Sequence, residues 1–255
     1  MIDELVALSR ELGAPANDYA ILAEGNTSLA LDDTLVLVKA SGTSLRNATP
    51  ESFVEAQVDA LLALVDEAPV DEAAQNDALA ACCVDPGALR PSVEAPLHAV
   101  CVRYGAARVV AHTHPTAVNA LLCSAHAEDV VHPLFPDQVV VCGAEPLLLP
   151  YVDPGLPLAR ALRDALLSRP GRPPKTVYLR NHGLVALAQT PQEALQVSAM
   201  AVKAARILQG AIAAGGPVFL PREEVARIDG RLDEAYRRLM LTRATPPSPA
   251  AAPEA

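Results

Sequence analysis

Pairs of short apolar runs joined by a tight polar turn occur twice in this sequence, and they constrain the fold more than any other feature. The runs and their turns are 28–31, Asp32-Asp33 and 34–40, then 175–180, Asn181-His182-Gly183 and 184–188. Runs of this length around two or three turn residues predict β-hairpins, whose strands pair antiparallel. A doubly wound parallel sheet, which needs a crossover between neighbouring strands, is therefore not expected.

Segments with a helical period surround these hairpins. They predict helices at 3–13, 51–65, 72–81, 92–104, 115–124, 156–167, 191–213 and 221–241. Two more apolar runs, 107–114 and 137–141, predict strands. The mixture indicates an α/β fold, a largely antiparallel mixed sheet with helices on its faces. We interpret residues 1–241 as one domain and the Pro- and Ala-rich residues 242–255 as a disordered tail.

Composition limits the environment and the partners. The 255 residues are 51% hydrophobic, enough for one substantial core. An odd number of cysteines, five, does not fit a secreted disulfide framework, and we find no signal-peptide or membrane-spanning pattern, so a cytoplasmic protein without membrane contact is expected. A net charge of −10, no Trp and no basic run argue against nucleic-acid binding. A small molecule is the expected partner, and the absence of a dinucleotide fingerprint or phosphate-loop motif argues against a nucleotide.

Three histidines are candidate metal ligands. His112 and His114 end an apolar run, and two residues of a strand that are two apart project from the same face. His182 lies in the second hairpin turn, before a glycine that permits unusual backbone angles. Each alone is more simply explained as a solvated or backbone-bonded histidine. If the fold brings them together, three nitrogens leave a coordination position open for a substrate.

Glu94 is the candidate base. Ser92 is a plausible helix cap, which places Glu94 in the first turn of the helix predicted at 92–104. There it either stabilises the helix dipole on a solvated face or, beside a metal, takes a proton from a substrate. The residues alone do not decide between these roles. His98, one turn further along, is interpreted as a packed or supporting group, and His126 and His132 as solvent-exposed.

Five motifs in a fixed order carry a resemblance to a known family. They are Gly25-Asn26-Thr27-Ser28, Lys39-Ala40-Ser41-Gly42, Pro91-Ser92-Val93-Glu94, His112-Thr113-His114-Pro115 and Asn181-His182-Gly183. In order and spacing they resemble the class II aldolase and adducin head-domain family, over residues 1–215, and most closely its fuculose- or rhamnulose-1-phosphate type aldolases. The resemblance implies a three-layer α/β/α fold and a homotetramer with active sites between subunits.

The same resemblance implies a site. A divalent metal, zinc first and otherwise Mn²⁺, Co²⁺, Ni²⁺ or Fe²⁺, would be bound by His112, His114, His182 and Glu94, with Glu94 also acting as base. A substrate phosphate would lie among Asn26, Ser41, Gly42 and Ser92, small residues whose polar groups can converge on an anion. Family members that act on phosphorylated ketoses often have serine at the position of Val93, so one hydroxyl donor is absent here. Lys39 or Arg90 would then supply a cation.

The activity implied is metal-dependent retro-aldol cleavage of a sugar or sugar phosphate. A pentulose-phosphate 4-epimerase, a sugar-phosphate dehydratase and a decarboxylase remain open on the same metal site. A non-enzymatic, adducin-like interaction module also remains open, although it would have no chemical reason to keep all four ligand residues. For the acid that protonates the aldehyde oxygen, Tyr151 and Tyr236 are candidates.

Overall fold

The centre of the protein is a seven-stranded sheet, seen in a computed structural model that describes residues 1–67, 71–231, 233 and 240. The strands are β1 (Asn26–Ala30), β2 (Leu35–Lys39), β3 (Phe53–Gln57), β4 (Val109–Thr113), β5 (Leu147–Leu149), β6 (Thr176–Leu179) and β7 (Gly183–Ala188). Their spatial order is β3-β2-β1-β4-β7-β6-β5, and only β5 and β6 pair in parallel. Both predicted hairpins, β1–β2 and β6–β7, are confirmed.

Helices cover both faces of the sheet. Within the described residues they are α1 (Ile2–Leu12), α2 (Val58–Asp66), α3 (Glu72–Ala81), α4 (Ala95–Tyr104), α5 (Thr116–Leu122), α6 (Pro136–Cys142), α7 (Leu156–Ser168), α8 (Pro191–Ala213) and α9 (Arg222–Asp229). Helices α2, α4 and α7 pack on one face, and α1, α5 and α8 on the other. The expected three-layer α/β/α architecture is confirmed. None of the described helices is both long and apolar enough to cross a membrane.

Alternation along the central strands divides the core into two halves. Val110 of β4 and Val185 of β7 pack on the side of α4 and α7, whereas Val109 and Leu184 pack on the side of α8. Because both faces are buried, these strands consist of nearly continuous apolar residues instead of alternating with polar ones. Polar side chains buried in them therefore need partners inside the protein.

The predicted helix at 51–65 is wrong in its first half. A short 3₁₀ turn, Pro50–Ser52, leads into the edge strand β3, and only then does α2 begin at Val58. In β3, Glu55 points to solvent between the buried Val54 and Ala56, which is the alternation of a half-covered strand. The apolar residues of β3 and α2 together mimic one long helical period, and pairing of β3 with β2 decides the outcome.

The predicted strand at 137–141 is wrong, since these residues belong to helix α6. Its three consecutive valines favour a strand by propensity, but Val139 and Val140 are buried against α9 residues and α6 also packs on α8. Tertiary packing therefore overrides propensity. Pro136 at the first helical position and Asp137 in the first turn are the helix signals that the prediction overlooked.

Several predicted ends move by a few residues. Helix α1 begins at Ile2, so Asp3 is in its first turn and is not its cap, and Pro115 precedes α5 as its cap. Helix α9 ends at Asp229 with Gly230 after it. Most of the remaining part of the helix predicted at 221–241, and the whole of 242–255, lie outside the described residues.

Candidate active site

The register between β1 and β4 builds the floor of the candidate site. Asn26 lies directly opposite His112, so the two side chains project from the same face of the sheet, the face that α4 covers. His114 follows two residues later at the end of β4 and is half-buried, whereas His112 is fully buried. The predicted same-face arrangement of these two histidines is therefore present.

His182 comes from the β6–β7 turn. Its N–H donates to Leu179 O at 3.0 Å, and Asn119 Nδ2 of α5 donates to its carbonyl oxygen at 2.9 Å. The unusual backbone angle expected at Gly183 is instead at Asn181, with φ of +55°. Glycine is needed for space, because a Cβ at Gly183 would lie 2.8 Å from the Cδ2 atom of His114.

The three imidazoles face one another across a small triangle. Their ring centroids are separated by 4.8 Å for His112 and His114, 4.9 Å for His112 and His182, and 5.0 Å for His114 and His182. One nitrogen of each ring lies within 4.8 Å of a nitrogen of the other two. Three nitrogens at this spacing can reach a single ion at the usual nitrogen–metal distance of about 2.0–2.1 Å.

Hydrogen bonding and burial prepare these rings for a metal. His112 Nδ1 lies 3.0 Å from Leu184 O, and because a carbonyl only accepts, Nδ1 carries a hydrogen and Nε2 is the nitrogen that faces His114 and Glu94. Burial and the nearby His112 and His182 lower the pKa of His114 to about 3, and burial and His112 lower that of His182 to about 4. Neutral imidazole is the form that binds metals, so the residues fit a divalent ion.

Glu94 completes the cluster. Its carboxylate Oε2 is 3.3 Å from His112 Nε2 and its Oε1 is 3.5 Å from His182 Nε2. Oε1 is buried and has no hydrogen-bond partner. Burial raises the pKa of Glu94, but His112, the hydrogen bond from Asn26, His182 and His98 together outweigh it and bring the pKa to about 2. An ionised carboxylate with a free oxygen results.

Glu94 is held at the start of α4 and not inside its first turn, which corrects the prediction. Glu94 is itself the N-cap residue, and the helix begins at Ala95. Ser92, expected to cap the helix, instead accepts a hydrogen bond from Glu94 N at 3.3 Å. Pro96 in the first turn fits this start, since the N–H that proline lacks would have no partner inside the helix there.

The predicted anion-binding residues fall into two groups. Asn26 and Ser92 are buried and in contact, with Asn26 Nδ2 donating to Ser92 Oγ at 3.2 Å. Ser41 and Gly42 are exposed, on the loop after β2, and Gly42 has a φ of +78°. The loop lies beside the segment of Ser92, because Ser41 N donates to Arg90 O at 2.8 Å.

A buried cation lies under this loop. Lys39 has only 2% of its surface exposed, and its Nζ donates to Thr43 O at 2.6 Å. Burial lowers the pKa of Lys39 to about 8, with the charge of Glu94 acting in the opposite direction. Val93, which stands where relatives often have serine, is 51% exposed. Arg90 is exposed.

A cleft of about 450 Å³ opens beside His114. Glu24, on its wall, places Oε1 4.0 Å from His114 Nδ1. The sequence interpretation missed Glu24 and Asn119, although their positions carry a signal. Glu24 immediately precedes the Gly25-Asn26 motif, and Asn119 lies in the helix that follows the His-Thr-His segment.

The remaining candidates are not drawn into the cluster. His126 and His132 are exposed, as expected. Tyr151, a candidate acid, is 56% exposed and donates to Asp153 Oδ1 at 3.0 Å. Tyr236 lies outside the described residues.

Comparison with known proteins agrees with this architecture. The family model described as Class II Aldolase and Adducin N-terminal domain matches residues 3–209, and the chain belongs to this family. The family uses a divalent metal, for which the histidine triad offers a site.

Individual relatives are more distant. The N-terminal class II aldolase domain of a Thermoplasma acidophilum protein is 26% identical with a TM-score of 0.65, covering 81% of this chain and 92% of that one. L-fuculose-1-phosphate aldolase from Thermus thermophilus shares the fold at 20% identity and a TM-score of 0.60, covering 85% and 97%. YuxG of Bacillus subtilis (strain 168), an uncharacterized oxidoreductase, is 25% identical over 76% of this chain, which spans only 27% of YuxG.

Proposed function

We propose that the protein is a metal-dependent lyase that cleaves a ketose phosphate or related sugar by a reversible retro-aldol reaction, giving a ketone fragment and an aldehyde. The observation that carries the proposal is the convergence of three imidazoles on a carboxylate whose Oε1 has no hydrogen-bond partner. Zinc is our first choice of metal, because three nitrogens with an open position suit it, although other divalent ions fit the same ligands.

The metal ion and the protein would supply different parts of the reaction. When bound, a divalent ion supplies Lewis acidity, which polarises the substrate carbonyl and stabilises negative charge developing next to it. In the condensation direction Glu94 accepts a proton from the carbon beside that carbonyl, and in the cleavage direction it returns the proton to this carbon. Oε1 suits this task because Oε2 is already occupied by the hydrogen bond from Asn26, at 2.8 Å.

Ser92 is the main residue of the proposed anion anchor, the group of residues that binds the anionic end of the substrate. Its Oγ receives hydrogen bonds from Asn26 Nδ2 and from Glu94 N, at 3.2 and 3.3 Å, so both lone pairs are engaged and its own proton is available to a substrate. The N–H groups of the exposed Ser41–Gly42 loop can face the same anion. Lys39, buried beneath that loop, contributes positive charge that offsets the acidic character of the protein.

Relatives support a sugar as substrate. Solved structures with the same fold include L-fuculose 1-phosphate aldolases, and YgbL of Escherichia coli, for which aldolase, epimerase and decarboxylase activities have been suggested, reaches a TM-score of 0.70 at 22% identity. By the same similarity we propose a role in carbohydrate metabolism and a homotetrameric assembly.

The base assignment is tested with Glu94→Gln and His112→Ala. We expect Glu94→Gln to keep bound metal but to lose most turnover, because an amide fills the space and cannot accept the proton. His112→Ala should lose metal and turnover together. Metal content by elemental analysis and aldehyde release from ketose 1-phosphates are the two measurements.

Matched controls are Glu55→Gln and His126→Ala, both at exposed positions away from the site. Near-normal turnover by Glu94→Gln would remove the base assignment. A metal-loaded protein that inverts a substrate carbon without releasing aldehyde would favour the epimerase. A protein that binds no divalent metal would favour the interaction module.

The anion anchor is tested with Ser92→Ala, assayed on a ketose 1-phosphate and its unphosphorylated form. Losing one hydrogen bond to a charged group costs about 1.5–3 kcal/mol, so we expect kcat/KM for the phosphate to fall about ten- to a hundredfold more than for the free ketose. Ser168→Ala, at an exposed position on α7, is the control. An unchanged ratio of the two kcat/KM values would show that this pocket recognises something other than phosphate.

A further inference from the structure

His98 lies directly behind the candidate site, one helical turn after Glu94 on α4. It is completely buried, its Nδ1 is 2.6 Å from Ser28 Oγ, and its Nε2 forms a hydrogen bond with Asn26 Oδ1. Asn26 in turn reaches Glu94. Ser28, His98, Asn26 and Glu94 therefore form one continuous chain of hydrogen bonds, and its direction can be worked out from the Glu94 end.

The carboxylate fixes the direction of the first links. Asn26 Nδ2 lies 2.8 Å from Glu94 Oε2, and an amide nitrogen only donates, so the NH₂ of Asn26 faces the carboxylate. The carbonyl oxygen of Asn26 then points the other way, toward His98 Nε2. Because that oxygen also only accepts, Nε2 of His98 must carry a hydrogen.

The remaining link follows from the charge of His98. The ring is completely buried and its two nitrogens face the uncharged Asn26 amide and Ser28 hydroxyl, a setting that favours the neutral ring with only one hydrogen. With that hydrogen on Nε2, Nδ1 has a lone pair, and the Ser28 hydroxyl must donate to it. Every group in the chain then has one possible role, donor or acceptor, at each contact.

We propose that His98, in its Nε2–H tautomer, is a positioning residue that locks the Asn26 amide with its NH₂ toward Glu94. This inference rests on the proposed role of Glu94 as base. With the amide locked, Oε2 of Glu94 stays a hydrogen-bond acceptor, and Oε1 stays free beside His182. If the amide were reversed, its carbonyl oxygen would face the carboxylate and repel it, moving Glu94 away from the histidines.

The tautomer can be measured without metal, substrate or turnover. We expect the imidazole nitrogens of metal-free protein labelled with ¹⁵N-histidine to show a neutral Nε2–H ring for His98 at pH 7, assigned by comparison with His98→Gln. A neutral Nδ1–H ring, or a charged ring, would overturn the proposal even in an active enzyme. If no substrate is cleaved while the ring is Nε2–H, the proposed function fails separately.

Variants test the consequence for Glu94. His98→Leu keeps the volume but removes both links, and we expect kcat to fall about 10- to 100-fold, the usual effect of losing a group that orients a site residue. In His98→Gln the side-chain amide can accept from Ser28 and donate to Asn26, so we expect most of the kcat to return. Cys101→Ala, buried on the same helix, controls for general disturbance of the core.

A positioning role predicts that kcat falls while KM stays close to the wild-type value. Equal losses of kcat in His98→Leu and Cys101→Ala, or no recovery in His98→Gln, would show that His98 only fills space. If His98→Leu does not fold, His98→Gln and the tautomer measurement still decide the question.

Discussion

Three histidines in and behind the candidate site make the stability of the protein depend on pH. The pKa of His98, His114 and His182 lies below the ordinary value of 6.5, with burial as the largest cause in each case. Below pH 6.5 these histidines bind protons in the unfolded chain but stay neutral in the folded protein, so the free energy of unfolding falls as the pH decreases. The depressed pKa of Glu94 acts in the same direction at still lower pH.

The contribution of His98 can be isolated. Between pH 8 and pH 5, an unfolded-state pKa of 6.5 and a folded-state pKa of about 3 correspond to a loss of about 2 kcal/mol in the free energy of unfolding. We therefore expect metal-free wild type to lose about 2 kcal/mol more than His98→Gln over this interval, measured by urea denaturation. The same loss in both proteins would mean that His98 is protonated in the folded state.

Among the helices and strands, the sequence predicted those that local residues determine and missed those that depend on tertiary packing. Both hairpins followed from turn residues between apolar runs, because turn chemistry acts over a few residues. Strand β3 and helix α6 did not follow. The apolar residues of β3 continue into α2, and the valines of α6 favour a strand until packing against α8 and α9 is known.

The candidate site shows the same division. His112, His114, His182 and Glu94 could be selected in advance, partly because few residue types bind metals and partly by family resemblance, and the structure brings these side chains together. Two features depend on contacts between elements that are distant in sequence: the lack of space for a side chain at Gly183, and the direction of the hydrogen bonds that His98 makes. Such contacts leave no local pattern to read.

The molecule as a whole should respond to its metal, because the proposed ligands come from α4, β4 and the β6–β7 turn. An ion that binds only the folded state at about 1,000 times its Kd adds about 4 kcal/mol to stability. For a chain of this size each kcal/mol shifts the Tm by about 2–4 °C. We expect chelation to lower the Tm of the wild type by about 10 °C, measured by scanning calorimetry.

His112→Ala is the matched comparison, since it removes a proposed ligand and should melt at the same temperature with or without chelator. His126→Ala should behave like the wild type. A wild-type Tm that does not change when elemental analysis shows the metal removed would mean that these residues do not tie the elements together through an ion.

The pairing of β1, β4 and β7 also determines when a metal can first be held during synthesis. Asn26 meets His112 only through strand register, and His182 joins them only once β6 and β7 have folded back onto β4. On the ribosome, a nascent chain that ends before the β6–β7 turn has Glu94, His112 and His114 but not His182. The complete set of ligands that we propose is therefore assembled only when the strands at the centre of the sheet have paired.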